Sequence, residues 1–330
     1  MTEDQLDALL GELADGLEHS RDSLCNIFHI RMEELFDRVW ALQKRGYEIL
    51  SKGGHYFTLL PKADSFLPVY IRWQLTTRHF GRGTIFYAPE MDSTNTELKQ
   101  MAAARALPEG TLAVCDRQTA GRGRMQRQWV DPVAGESLTC SLLLRPRLPP
   151  EAVSLVTLAT AVAAAETIAE WGLDAGIKWP NDVVLGERKC VGILCETVTD
   201  PAGERCVVVG AGFNLNQKAF AGELNDRATS LRIAWGEAVD RRTFLSRYLF
   251  QMERAMDALE SKGFAGIRPA YEARSVTLGR QVTVIGAGES FVGTAEHIDG
   301  DGALNVRDAA GNLRRVLSGD VSVRGVMGYV

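Results

Sequence analysis

Apolar residues at Leu6, Leu9, Leu10, Leu13 and Leu17 recur three and four positions apart, which predicts an amphipathic helix near the start of the chain. A short second helix is expected over 21–28. A third is expected over Met32–Arg45, with Leu35, Val39 and Leu42 on one face and Gly46 as its stop. The period then changes to two. YEILSKGGHYFTLL alternates apolar and polar residues around Gly53-Gly54, a hairpin signal. Three helices and a hairpin predict a winged helix-turn-helix domain over residues 1–64, a layout that usually sets its third helix in the DNA major groove. Pro61 to Arg82 reads as a connector with some helix over 66–80.

Beyond the connector, strands and helices are mixed. TIFYAPEMDSTNTELKQMAA reads as strand, turn and helix, with Ser93-Thr94-Asn95 where N-caps are favoured. On their own these three are best read as a cap; lining a pocket at a strand end is the functional alternative. TLAVCDR and SLTCSLLLRP are strands, and 151–171 is a long buried helix. Ala175 to Leu185 passes through KWPND, where Pro180 interrupts any regular helix. Lys189–Val198 and Arg205–Asn216 are two further strands. A helix from Arg241 to Ser261 carries Phe244, Leu245, Tyr248, Leu249, Met252 and Met256 on its apolar side. From Val276 onward, short β-rich pieces separated by Gly and Asp/Asn turns predict a small barrel. The class is therefore α+β, with domains expected at 1–64, 65–275 and 276–330.

Composition narrows the function classes. The chain has 330 residues, 45% hydrophobic and 24% charged, values usual for a globular protein, and its length predicts two or three domains. Net charge is −5, which argues against a general polyanion binder. Residues 1–64 hold seven Lys and Arg against twelve Asp and Glu, and the third helix carries Glu33, Glu34 and Asp37 where phosphates would approach. Arg31, Arg38 and Lys44 are the candidate DNA contacts there, helped by Arg45 and Lys52. A winged helix that binds DNA and one that binds protein both remain open. The start, MTEDQLDALL, lacks the basic residues and apolar core of a signal peptide, and no run approaches ~18 consecutive apolar residues. A cytoplasmic protein without a membrane partner is expected. Six cysteines, widely spaced and without a C-x-x-C pair, are read as reduced and buried rather than zinc-binding.

The candidate chemistry starts at QTAGRGRMQRQW, Gln118 to Trp129. Arg122, Arg124 and Arg127 are interleaved with Gly121 and Gly123, and neither a helix nor a strand period fits. Such a loop is cationic and can bring backbone N–H groups close to phosphate or carboxylate oxygens. A solvated basic loop is the plain alternative, until KWPND (Lys178–Asp182), Lys189 and Gly192-Ile193-Leu194 are added. GAGFNLN does not make a Rossmann fingerprint, because the third glycine and following helix are missing, and no P-loop motif occurs.

Taken in order, DSTN, QTAGRGRxxRxW, KWPND, K-x-x-GIL-x-E, GAGFNLN and ATSL (228–231) resemble the motifs of biotin–protein ligases. The winged helix and terminal barrel resemble the bifunctional subclass, ligase and biotin operon repressor. The resemblance implies a class II synthetase-like mixed-sheet ligase domain and an SH3-like C-terminal barrel. It implies that biotin and ATP, with Mg²⁺, form biotinyl-5′-adenylate, and that biotin then passes to a lysine of the biotin carboxyl carrier protein of acetyl-CoA carboxylase. It also implies binding to biotin operator DNA and a monomer that becomes a homodimer on adenylate binding.

By the same resemblance, Ser93, Thr94, Asn95 and Gln118 match positions that hydrogen-bond the biotin head group. Arg122, Gly123, Arg124 and Arg127 match the loop that orders over biotin and adenylate, and Trp129 the aromatic beside them. Lys189 faces the carboxylate and α-phosphate, and with Arg124 is the candidate catalytic pair. Asn181 and Asn214 lie near the nucleotide, Asp182 near Mg²⁺, and Gly192, Ile193, Gly210 and Gly212 line the floor. Two departures stand out. Gln126 occupies the place of a usual glycine before the third loop arginine, and Phe213 that of a smaller aliphatic, which would narrow the floor. A ligase without repression, and a lipoate or octanoate transferase of the same fold, are the alternatives.

Overall fold

The computed structural model describes the whole chain except residues 1, 132, 150, 151, 287–289, 318–320 and 326–330, and leaves aside the side chains of 286 and 321–325. Two compact units result, Met1–Trp73 and Gln74–Val330.

In the first unit α1 (Glu3–Leu13), β1 (His19–Ser20), α2 (Arg21–Phe28), α3 (Met32–Lys44), β2 (Ile49–Lys52), β3 (Tyr56–Leu59) and α4 (Pro68–Gln74) follow in order. The wing is an antiparallel sheet in the order β1-β3-β2. Leu6, Leu9, Leu13, Leu24, Leu35, Val39 and Leu42 make a common core with Phe57 and Tyr70. Leu17, expected on the first helix, lies past its end and is exposed. α4 is held to this unit by Trp73 Nε1, which donates to Ala14 O (2.6 Å), and by Tyr70 Oη, which accepts from Glu48 N (2.8 Å).

The second unit is built on a seven-stranded mixed sheet in the order β4-β5-β6-β10-β9-β8-β7. Its strands are β4 (Ile85–Met91), β5 (Leu112–Gln118), β6 (Ser137–Leu144), β7 (Ala175–Lys178), β8 (Asp182–Leu185), β9 (Arg188–Thr199) and β10 (Arg205–Asn214). β4 and β5 run parallel through the crossover helix α5 (Thr94–Ala104), and the remaining pairs are antiparallel. α6 (Ser154–Ala169) is buried along most of its length and packs with α8 (Arg241–Lys262). α7 (Leu231–Trp235) and α9 (Phe264–Ala273) are short helices that periodicity did not single out; Pro269 inside α9 masks its helical signal.

Strand parity sorts the sheet. Gly210 and Gly212 of β10 face one side with Gly192 of β9, which pairs in register with Gly212. Phe213, one residue on, faces the other side and packs edge-on to Phe244 (5.1 Å) and Tyr248 (4.9 Å) of α8. It is fully buried there and does not line the cavity on the glycine side, so the expected narrowing of the floor is corrected.

Past α9, β11 (Gln281–Gly286), β12 (Ser290–Ile298), β13 (Leu304–Asp308), β14 (Leu313–Val316) and β15 (Val321–Gly325) form an antiparallel sheet in the order β14-β13-β12-β11-β15. The rest of the small barrel expected over 276–330, at 287–289, 318–320 and 326–330, lies outside the described residues. The buried indole of Trp179, in KWPND, donates to Gly302 O (3.2 Å), and its backbone N–H to Thr277 Oγ1 (2.9 Å). These bonds tie the turn between β7 and β8 to the C-terminal sheet.

Candidate active site

A cavity of about 220 Å³ opens over the glycine face of β9 and β10. At one end lie Ser93, Thr94 and Asn95, at the start of α5. Ser93 occupies the N-cap position, but its side chain makes no capping bond. The plain reading as a cap is thus replaced: all three buried side chains line the cavity. Gln118, at the end of β5, accepts at Oε1 from Thr94 N (2.8 Å) and Thr94 Oγ1 (3.2 Å), which fixes its amide with Nε2 as the remaining donor. Asn95 gives Nδ2 to Leu194 O (3.1 Å) and Glu196 Oε2 (3.1 Å), while Oδ1 accepts from Ser141 Oγ (2.7 Å). Ser141 was not picked out by sequence reading, and Glu196, the last residue of K-x-x-GIL-x-E, was given no role there. Cross-strand placement is what reveals their contact with Asn95.

The basic loop closes a second wall. Trp129 N donates to Gly121 O (2.9 Å) and Gly123 N to Arg127 O (2.8 Å), so the segment doubles back as an irregular hairpin. At its tip Met125 (φ 53°) and Gln126 (φ 59°) both hold left-handed backbone. That conformation costs a non-glycine residue about 1–2 kcal/mol, a cost that the glycine expected by resemblance at the Gln126 position would not bear.

The Trp129 ring lies on the glycine floor. A Cβ at Gly212 would come 2.6 Å from Trp129 Cε2, and one at Gly192 would come 2.9 Å from Cζ3. Only hydrogen fits at either place. Gly212→Ala is expected to lift the indole and weaken ligand binding about tenfold, the scale set by overpacking. Tryptophan fluorescence during a ligand titration, with the thermal midpoint as folding control, checks this.

The far end is charged. Lys189 of β9 lies 2.6 Å from Asp182 Oδ1 and 5.9 Å from the centre of the Trp129 ring. Arg124 Nη1 donates to Asn181 Oδ1 (2.9 Å), and Asn181 Nδ2 donates to Ile193 O (2.9 Å). Burial pushes the Arg124 guanidinium below its usual pKa, and nearby Asp182 acts against that. Asn214 Nδ2 donates to Thr229 O (3.0 Å), joining ATSL to the end of β10. Arg127 also lines the cavity.

The cavity thus brings together the sequence-predicted residues of the central domain, from Ser93 to Asn214. Three candidates lie in the other unit. Arg31 and Lys44 are exposed, with Lys44 Nζ 3.6 Å from the Trp40 ring centre. Arg38 is corrected. It is 4% exposed, donates to Glu34 Oε1 (2.9 Å) and is turned inward with Leu35 and Leu42, so it is not presented to phosphates.

A polar end built from amides and hydroxyls, an apolar glycine-and-indole floor and a cationic end suit an elongated ligand with a polar head and an anionic tail. The sequence model of the Biotin/lipoate A/B protein ligase family matches residues 87–214, and that of the Biotin protein ligase C terminal domain matches 277–324. A Bifunctional ligase/repressor BirA of Bacillus spizizenii is 35% identical over 292 residues, 88% of this chain and 89% of that one. A Biotin--[acetyl-CoA-carboxylase] ligase of Paracoccus denitrificans is 36% identical over 230 residues, 67% of this chain and 92% of that one. The biotin protein ligase of Aquifex aeolicus solved with biotin and ATP is similar over 73% of this chain and 99% of that one, at 30% identity and TM-score 0.65. The chain belongs to the biotin–protein ligase family.

Proposed function

We propose that the protein is an ATP-dependent biotin–protein ligase that also acts as a biotin-responsive repressor. The observation that carries the ligase reading is the two-ended cavity. Asn95, Gln118 and Thr94 meet a urea-like head group at one end, and Lys189 and Arg124 meet anions at the other. A buried urea with unpaired groups would cost about 1–3 kcal/mol per group, which the amide end avoids. At the cationic end a biotin carboxylate oxygen attacks the α-phosphorus of ATP, and pyrophosphate leaves. The amine of the acceptor lysine then attacks the acyl carbon of the mixed anhydride, and AMP leaves. Lys189 and Arg124 lower the repulsion between the two anions.

Asp182 is the one carboxylate among the described residues lining the cavity, and among the described residues no cluster of metal-ligating side chains occurs. That donor set suits Mg²⁺ held by one carboxylate and the substrate's own phosphates, where it would neutralise phosphate charge. Biotin-dependent pyrophosphate–ATP exchange, absent with lipoate, is the expected result; no exchange with biotin would favour the transferase alternative.

The division of labour we propose is DNA binding in residues 1–64, ligation in 65–275 and a supporting barrel in 276–330. The acceptor is the biotin carboxyl carrier protein of acetyl-CoA carboxylase. Among the described residues β9 has no outer partner strand beyond Ile193, which leaves an edge suited to pairing with a second copy once adenylate is bound. The name of the Bacillus relative supports repression. No helix among the described residues is long and apolar enough to cross a membrane.

The third helix sets the terms of DNA binding. α3 exposes Met32, Phe36 and Trp40 beside Glu33, Glu34 and Asp37. Lys52 of the wing is paired with Glu18, and Arg45 with Glu3 (2.5 Å). With Arg31 and Lys44 from each of two protomers, about four phosphates are neutralised, giving a log–log salt slope of about −4. Fluorescence anisotropy of DNA from upstream of the biotin-synthesis genes, with biotin and ATP present, checks this. An absence of binding by protein that still makes adenylate would leave a ligase alone.

A further inference from the structure

K-x-x-G-I-L-x-E ends on a glutamate to which no role has been given. Glu196 is half-buried on β9 and gathers groups from two other elements, α5 and the basic loop. Lys99 Nζ of α5 lies 2.7 Å from Oε1. Asn95 Nδ2, at the start of the same helix, donates to Oε2 (3.1 Å). Arg122 of the basic loop donates through Nη2 to Oε1 (3.2 Å) and through Nη1 to Oε2 (3.4 Å). Arg122 Nη1 also reaches Thr96 Oγ1 (3.3 Å). Desolvation of the Glu196 carboxyl is outweighed by the hydrogen bonds from Lys99 and Asn95 and by the charge of Arg122, which hold it ionised below its usual range.

We propose that Glu196 is a positioning residue that couples head-group recognition to loop closure, by orienting Asn95 and latching Arg122 through one carboxylate. An ionised carboxylate only accepts hydrogen bonds, so it dictates which end of the Asn95 amide turns toward it. Both Nδ2 hydrogens go to Glu196 and Leu194 O, and Oδ1 turns to Ser141, over the hydrogen-only face of Gly210, where a Cβ would lie 2.3 Å from that oxygen. Asn95 therefore meets a ligand as an acceptor. Gln118, whose Oε1 is taken by Thr94, meets it as a donor. One acceptor and one donor at this end match a ureido group, which offers N–H and C=O on adjacent edges. The same carboxylate holds the first arginine of the loop, so ordering at the head group and ordering of the loop reinforce each other. This rests on the ligase reading above.

Glu196→Gln keeps the shape, removes the charge and lets the new amide present either end to Asn95. The expected result in pyrophosphate–ATP exchange is a rise in KM for biotin of about tenfold, the scale of a misdirected buried hydrogen bond. KM for ATP should stay within twofold and kcat within threefold, since Lys189 and Arg124 are untouched. Adenylate preformed on the variant should dissociate about tenfold faster. Arg122→Ala should speed adenylate release to a similar degree with a smaller rise in KM for biotin. The double variant should release adenylate no faster than either single one, because both changes open the same latch. Wild-type biotin KM and release rate in Glu196→Gln, additive release rates in the double variant, or a uniform loss in kcat and both KM values with a lowered thermal midpoint would each overturn the proposal. The ligase reading fails separately, and takes this assignment with it, if the wild-type protein gives no biotin-dependent exchange.

Discussion

Replacing Lys189 by methionine is expected to slow adenylate formation by about 10²–10³-fold, the usual consequence of removing one preorganised group aimed at developing charge. The reasoning starts at the backbone. Lys189 sits three residues before Gly192 on β9, and its Cε would lie 3.1 Å from a Cβ at Gly192, so its stem runs along the glycine floor toward the charged end. Its ammonium contacts Asp182 (2.6 Å) and faces Trp129, so it holds a fixed place before any ligand arrives. Methionine keeps the length and the apolar contact and deletes the charge. Lys189→Arg should rescue poorly, because the planar guanidinium needs a different set of partners from those of a compact ammonium. Single-turnover formation of adenylate at saturating biotin and ATP measures this, and a loss of less than tenfold would remove Lys189 from the chemical step.

Much of this site was legible in the sequence because its parts are local. QTAGRGRMQRQW cannot be a helix or strand, and KWPND stops both, so each had to be a loop at an element's end, where ligands bind. The partners of Asn95 were not legible. Ser141 lies 46 residues away on β6 and Glu196 101 residues away on β9, and nothing local to Asn95 indicates either one. Two misreadings had a signal that could have corrected them. Phe213 differs by one position from Gly212, so strand parity already sends it to the far face. Arg38 is three residues from Leu35 and four from Leu42, so helical spacing already places its stem with the core. Gln126 shows the reverse case: its departure from glycine was visible at once, but the left-handed backbone it must hold needed coordinates.

Arg124→Gly is expected to leave adenylate formation measurable while releasing the product about 10- to 100-fold faster, the range for losing a charged hydrogen bond. The guanidinium joins the loop to KWPND through Asn181, and Asn181 is itself fixed at both ends, by Nδ2 to Ile193 O and by its carbonyl, which accepts from Ile193 N (3.0 Å). Without Arg124 that tie is gone, and glycine adds backbone freedom next to the Met125-Gln126 turn. The mixed anhydride would then meet water and any amine in solution rather than a single docked lysine. Incubation with biotin, ATP and an unrelated lysine-rich protein should label that protein, and a chase with unlabelled biotin should show the fast release directly. Unchanged retention would sink the idea. The contrast with Lys189→Met is what separates the two cations: loss of the lysine should stop the anhydride from forming, whereas loss of the arginine should let it form and escape. A protein in which both variants simply failed to make adenylate would assign Arg124 to charge neutralisation alone and leave the closing of the loop to the latch at Arg122.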